Sequence, residues 1–202
     1  MSAEPAPRAA SGTRLPSPRS RILATAVRLF YRNGINATGI GELVDVAGVS
    51  KRTLYQLFES KDELVVAYLR TMSTGVRTNE DCLTETGLTP RERLLALFDR
   101  PRVGDQFRGC PLHNASVELT DPQHPGRPVI TEHKRALLDR LVATAKEAGA
   151  TDPDVLGRQI FALFEGAMAL TTSLGDLESF EFARPAAVLL MDNAIPAHTI
   201  SA

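Results

Sequence analysis

"VSKRTLYQLFESKDEL", residues 49–64, combines a helical apolar repeat with a high density of hydrogen-bond donors. Leu54, Leu57 and Phe58 recur at the three- and four-residue intervals that bring side chains onto one helix face. The same period leaves Lys51, Arg52, Thr53, Tyr55 and Gln56 on or near the opposite side. Ser50 stands where the first turn needs an N-cap, because a serine hydroxyl satisfies a backbone N–H that the helix itself cannot. Ser60 and Glu63 then form the Ser-x-x-Glu pattern of a capping box ahead of "LVVAYL", so the next helix is expected to begin at about Lys61.

Upstream, Ser17 and Pro18 read as an N-cap and first helical residue, since proline lacks an N–H at the one place where none is needed. Ile22, Ala26, Leu29 and Phe30 follow at helical spacing, and Gly34 supplies a left-handed stop, so a helix is expected from about Arg19 to Asn33. Thr38 is placed to cap a second, two-turn helix carrying Ile40, Leu43, Val44 and Ala47, which Gly48 ends. Helices this short are marginal alone and must be held by packing. Three in succession, the last pair joined by a tight turn containing Gly48, describe a helix-turn-helix unit. A short helix that opens with donor-rich side chains behind such a turn suits the major groove of DNA, where base edges present readable acceptors. The helix N-termini near Thr38 and Lys61 add backbone N–H groups for phosphates.

At 202 residues the chain can bury a core without metal or disulfide support. Pro5, Pro7, Pro16 and Pro18, set among small residues, give a flexible arm over residues 1–17. The formal charge of -1 conceals an asymmetry: residues 1–70 hold 10 Lys/Arg against 6 Asp/Glu, and the remainder 13 against 18. A basic N-terminal part on an acidic body points to one end meeting a polyanion. The longest apolar run, "AAVLLM" at residues 186–191, is far short of the ~20 residues that a membrane helix needs. The first eighteen residues also lack the apolar segment of a signal peptide, which makes a cytoplasmic location the expectation. Cys82 and Cys110 are too few for a disulfide framework. With no nucleophile elbow, phosphate loop or His-Glu-x-x-His motif, neither an enzyme nor a cofactor is expected. His113, His124 and His133 show no compact zinc spacing, so no metal is expected either.

Beyond residue 79 the helical signals continue without an alternating strand pattern. Thr89 and Pro90 start a helix that places Leu94, Leu97 and Phe98 on one face. Ile130, Leu137, Leu138 and Leu141 belong to a longer one that stops at Gly149. Residues 154–174 align Leu156, Ile160, Leu163, Phe164, Ala167 and Leu174 in a broad apolar stripe. Ala162, Gly166, Ala169 and Ser173 form a small-residue side that admits a neighbouring helix. A last helix, at roughly 182–194, adds Ala186, Leu189, Leu190 and Asn193. The expected architecture is all-α: an arm over 1–17, a three-helix DNA-binding domain over 18–64, and a second helical domain over 65–202.

The stretch from Ile22 to Leu69 closely resembles the N-terminal DNA-binding domain of the TetR/AcrR family of bacterial transcriptional regulators. "A...LF...G...T", "AGVS", "LY..F" and "K.EL" occur in the family's order and spacing. The resemblance implies that Ser50, Lys51, Arg52 and Thr53 face bases or nearby phosphates, while Thr38, Tyr55 and Lys61 grip the DNA backbone. Two positions depart from the pattern: Val44 replaces a smaller Ala, and Gly39 replaces Ser or Thr. Both bear on interhelical distance and capping.

The resemblance further implies that the rest of the chain senses an unidentified small molecule and forms a homodimer through a four-helix interface. A regulator of this kind, read as a repressor, leaves its double-stranded operator when the effector binds. The "GCP" segment within residues 107–137 is similar to one branch of the family. Phe107, Cys110, His113, Phe161, Phe164, Glu165 and Met168 are the candidate pocket residues, with Glu165 a single carboxylate anchoring a ligand on an apolar helix. Three alternatives stand beside this reading. Cys110 serves as a thiol redox sensor, the chain is a ligand-binding or catalytic protein that retains the DNA-binding fold, or the last two helices only complete a monomer core.

Overall fold

A computed structural model describes residues 16–74, 79–101 and 107–196, which are helical with no strand among them. Nearly all of the expected N-terminal arm, residues 1–15, lies outside the described residues. In chain order the helices are α1 (Pro18–Asn33), α2 (Ile40–Ala47), α3 (Lys51–Leu57) and α4 (Lys61–Thr74). A 3-10 turn at Asn79–Thr84 precedes α5 (Pro90–Ala96), α6 (Pro111–Glu118), α7 (Gly126–Glu147), α8 (Pro153–Leu174) and α9 (Glu178–Ala194).

Local sequence signals account for most helix ends. The Ser17 hydroxyl accepts from Ser20 N at 3.2 Å, with Pro18 in the first turn of α1. Gly34 stops α1 with φ +98° and ψ 154°, an extended positive-φ conformation in place of the expected left-handed one. The expected cap of α2 is corrected as well. Gly39 occupies that position without a side-chain hydrogen bond, while the buried Thr38 hydroxyl donates to Gly34 O at 2.7 Å. Gly48 does adopt the left-handed conformation, φ +63° and ψ 45°, and turns the chain sharply from α2 towards α3. Ser50 caps α3 by accepting from Thr53 N at 3.0 Å. Ser60 caps α4 through Glu63 N at 3.1 Å, but the Glu63 carboxylate returns to Glu59 N at 2.6 Å and not to Ser60.

One apolar cluster joins Ile22, Phe30, Leu43, Leu54, Phe58, Leu64, Tyr68 and Leu69 to Leu112, Ala115, Leu119 and Ile130. The packing therefore runs without a break across residue 64, and α6 with the start of α7 closes the core of the N-terminal unit. Phe30 and Tyr68 meet edge-on with centroids 5.5 Å apart. The second cluster gathers Leu94, Leu97, Phe98, Leu137, Leu141, Leu156, Ile160, Phe164, Phe180 and Met191 around α7, α8 and α9. Leu97 and Phe98 reach it from beyond the end of α5, and Leu174 does not reach it at all. Leu174 is 64% exposed because burial along α8 ends at Thr171, one turn earlier.

Close approach of α7 and α8 depends on Gly157, where an added Cβ would lie 2.7 Å from Val142 Cγ2 and 2.9 Å from its backbone. Gly157→Ala gains up to ~1 kcal/mol of helix propensity and costs ~1–3 kcal/mol or more through overpacking. The expected net result is a lower melting temperature in calorimetry. An unchanged or higher one would mean that the two helices separate without penalty.

Candidate nucleic-acid interface

α3 is anchored from within by Leu54, fully buried, and by Phe58, 1% exposed in the extended residue after the helix. Its other side carries the exposed Lys51, Arg52, Tyr55 and Gln56. Thr53 is half-buried, with its hydroxyl 2.9 Å from that of Ser50. Two cations, a phenol and an amide thus leave one short helix together, a donor set suited to base edges and phosphates.

Thr38 and Lys61 are arranged differently. The single hydroxyl proton of Thr38, a residue expected to grip the DNA backbone, is used on Gly34 O inside the protein. Lys61 Nζ donates to Ile35 O at 2.6 Å and lies 6.0 Å from the Phe30 ring centroid. Burial lowers its pKa from the usual lysine value, and one of its three donors ties α4 to the loop after α1. Two further cations escaped the sequence reading. Arg19 stacks over Phe58 at 4.8 Å, and Arg21 lies beside the Gly48 turn, its Nη1 3.5 Å from where a Cβ would stand. Their only sequence signal is proximity to the Ser17-Pro18 start of α1.

The pocket candidates divide into a polar group and a core group. Cys110 Sγ caps α6 by accepting from His113 N at 3.5 Å. Lys134 Nζ lies 3.5 Å from that sulfur and 2.6 Å from Glu165 Oε1. Glu165 is thus paired, and Lys134 is the functional candidate that the sequence reading missed; a carboxylate on an apolar helix was its signal. Burial pushes the Cys110 thiol up, and the Lys134 charge opposes that rise. Burial works against the Lys134 charge as well, but Cys110 and Glu165 outweigh it and raise its pKa. Phe164 belongs to the second core, edge-on to Phe98 at 6.2 Å and to Phe180 at 6.3 Å. Phe107, Phe161 and Met168 are half-buried.

Two cavities lie elsewhere. One of about 220 Å³ is lined by Asn36, Lys61, Asp62, Glu118, Asp121 and His124, with His124 Nε2 3.4 Å from Asp62 Oδ1. The other, about 120 Å³, lies between Met72, Glu80, Thr84, His133 and Arg140, where His133 and Arg140 both reach the Glu80 carboxylate.

One exposed strip along α8 and α9 is apolar or small-residue. Ala162, Gly166 and Ser173 are exposed, flanked by Leu170 at 46%, Leu174 at 64%, Phe182 at 75% and Leu189 at 64% exposure.

Residues 22–68 match the family model for bacterial regulatory proteins of the tetR family, and residues 90–187 match the tetracycline repressor-like C-terminal domain. The transcriptional activator FasR of Mycolicibacterium smegmatis is 38% identical over 118 residues, 55% of this chain and 53% of FasR. The transcriptional repressor KstR2 of the same species is 30% identical over 82 residues, 41% of this chain and 40% of KstR2. The matched stretches thus span about half the length of these curated relatives. The solved structure of SAV143 from Streptomyces avermitilis superposes with a TM-score of 0.77 at 36% identity, covering 89% of this chain and 98% of that one. On these matches, and on an all-helical fold built around α2, the Gly48 turn and α3, the chain belongs to the TetR family of bacterial regulatory proteins.

Proposed function

We propose that this chain is a homodimeric, cytoplasmic transcriptional regulator that grips double-stranded operator DNA through α3 and releases it when a small molecule binds the C-terminal half. The observation that carries this reading is the donor-rich outer side of α3, held rigidly by the buried Leu54 and Phe58. Lys51, Arg52 and Thr53 take base edges or adjacent phosphates, and Tyr55 with Ser50 braces the helix on the backbone. Arg19 and Arg21 add charge at the near end of α1, and the backbone N–H groups opening α2 take over the role expected of the Thr38 side chain.

The exposed strip along α8 and α9 meets its copy, which sets two recognition helices ~34–36 Å apart for successive major grooves. The polar group of Cys110, His113, Lys134 and Glu165, beside Phe107, Phe161 and Met168, serves as the effector contact. Burial pushes the Cys110 thiol away from the thiolate that redox sensing requires, which favours effector binding over a redox switch. An effector that prefers the form with displaced recognition helices weakens DNA binding by the same factor as DNA weakens effector binding. Similarity to KstR2 supports repression as the output. The similarity to FasR, an activator, makes a reporter-gene assay the test of direction.

Anisotropy titrations on duplexes from the DNA flanking the gene test the α3 assignments. Arg52→Ala should relax the preference at one operator position by ~1–3 kcal/mol, the usual size of a base contact. Tyr55→Phe should weaken binding by a similar factor at every sequence. Uniform loss for Arg52→Ala across a substituted operator series would contradict its base-reading role.

A further inference from the structure

The segment Arg108–Cys110 touches both halves of the protein. Arg108 Nη1 donates to the last carbonyls of α1, Tyr31 O at 3.2 Å and Arg32 O at 2.6 Å. These carbonyls have no partner within the helix, and a cation there also suits the negative end of its dipole. The Tyr31 hydroxyl accepts from Arg108 N at 2.8 Å and donates to Gly109 O at 3.1 Å, so one side chain is used in both directions. A second bridge lies about two turns on, at the last residue of α6. Glu118 Oε2 accepts from Asn36 N at 2.9 Å, and Asn36 Nδ2 donates to Glu118 O at 3.0 Å.

The same segment is pressed against the body. Gly109 has φ +68°, and an added Cβ would lie 2.5 Å from Thr172 Oγ1 and 2.8 Å from Met168 O, so this backbone rests directly on α8. Thr172 Oγ1 and Asn114 Nδ2 both donate to Arg108 O, at 3.0 Å and 2.7 Å. The next residue, Cys110, contacts Lys134, which is paired to Glu165 one helical turn before Met168 along α8.

We infer that Arg108 and Tyr31 are positioning residues that fix the DNA-binding unit on the dimer-forming body and thereby set the distance between the two recognition helices. The inference rests on reading the chain as a dimer that binds two half-sites. Arg108 holds the C-terminal end of α1 from a loop seated on α8. A shift of α8 against α7 at the Glu165–Lys134 pair moves that loop, and α1 moves with it. Hydrogen bonds of this kind are directional and either made or broken, which gives the connection two discrete arrangements. The apolar contacts of α4 with α6 and α7 keep the halves together in both.

Two duplexes test this, using Arg108→Ala and Tyr31→Phe alongside the unaltered protein. One carries the complete operator from the DNA flanking the gene, and the other has one half-site scrambled. Both variants should lose about tenfold in affinity for the complete operator, within the roughly 5- to 150-fold range of intersite coupling. Their binding to the single half-site should be unchanged. Insertion of base pairs between the half-sites should weaken the unaltered protein steeply and the variants much less, a flattening that simple destabilisation does not produce. Equal losses on both duplexes, or no loss on either, would overturn the positioning role. If the unaltered protein prefers neither duplex to random DNA, the operator-binding reading itself fails.

Discussion

In the proposed homodimer, Gly166→Arg is expected to leave monomers and to reduce affinity for a two-half-site operator by ~1,000-fold or more. Gly166 is exposed, and an added Cβ would meet nothing within 4 Å in the single chain. Ala162 and Leu170 lie one turn to either side of it, and Phe182 and Leu189 stand exposed on the neighbouring helix. Scattered exposed hydrophobics need no explanation, whereas a continuous apolar row marks a contact surface. In a two-fold interface each substitution occurs twice, and an unpaired buried charge costs ~3–5 kcal/mol per site. At ~1.4 kcal/mol per tenfold, that exceeds the loss quoted. Light scattering should report monomers with helicity unchanged in circular dichroism. A variant that stays dimeric would place the interface elsewhere.

Phe164→Ala is expected to cost ~3–5 kcal/mol of stability, the usual range for deleting a buried phenyl ring. Phe164 is 2% exposed and edge-on to both Phe98 and Phe180, so its removal leaves a cavity between α8, α9 and the turn after α5. For a chain of this size the melting temperature should fall by roughly 2–4 °C per kcal/mol, or about 10 °C in total. Had Phe164 lined an open effector pocket, the substitution would alter ligand response at little cost in stability. A melting temperature within about 2 °C of the original would instead support the pocket role.

The fate of Phe164 illustrates how far the sequence could be read. Periodicity placed Phe164 on the inner stripe of α8, which was correct, but it could not distinguish a residue lining a pocket from one sealing a core. That distinction depends on Phe98 and Phe180, which come from distant segments. Helix starts were legible wherever a hydroxyl and its partner N–H lie three residues apart, as at Ser17, Ser50, Ser60 and Thr89. Thr38 broke the rule because its hydroxyl found a carbonyl on the preceding loop, an option that local spacing does not reveal. Both helices of the helix-turn-helix unit and the outward side chains of α3 were readable, since they depend on the short-range period. The Lys134–Glu165 pair and the Arg108–Tyr31 joint were not, because each spans a long sequence interval and leaves no periodic trace.

The measurement that tests the central claim most directly is the salt-dependent affinity of the purified chain for DNA flanking its own gene. A regulator that reads bases through α3 and neutralises phosphates around it should bind one duplex at least ~1,000-fold more tightly than random DNA. The logarithm of that affinity should fall linearly with the logarithm of salt concentration. Equal affinity for every duplex, or binding that does not respond to salt, would contradict the account.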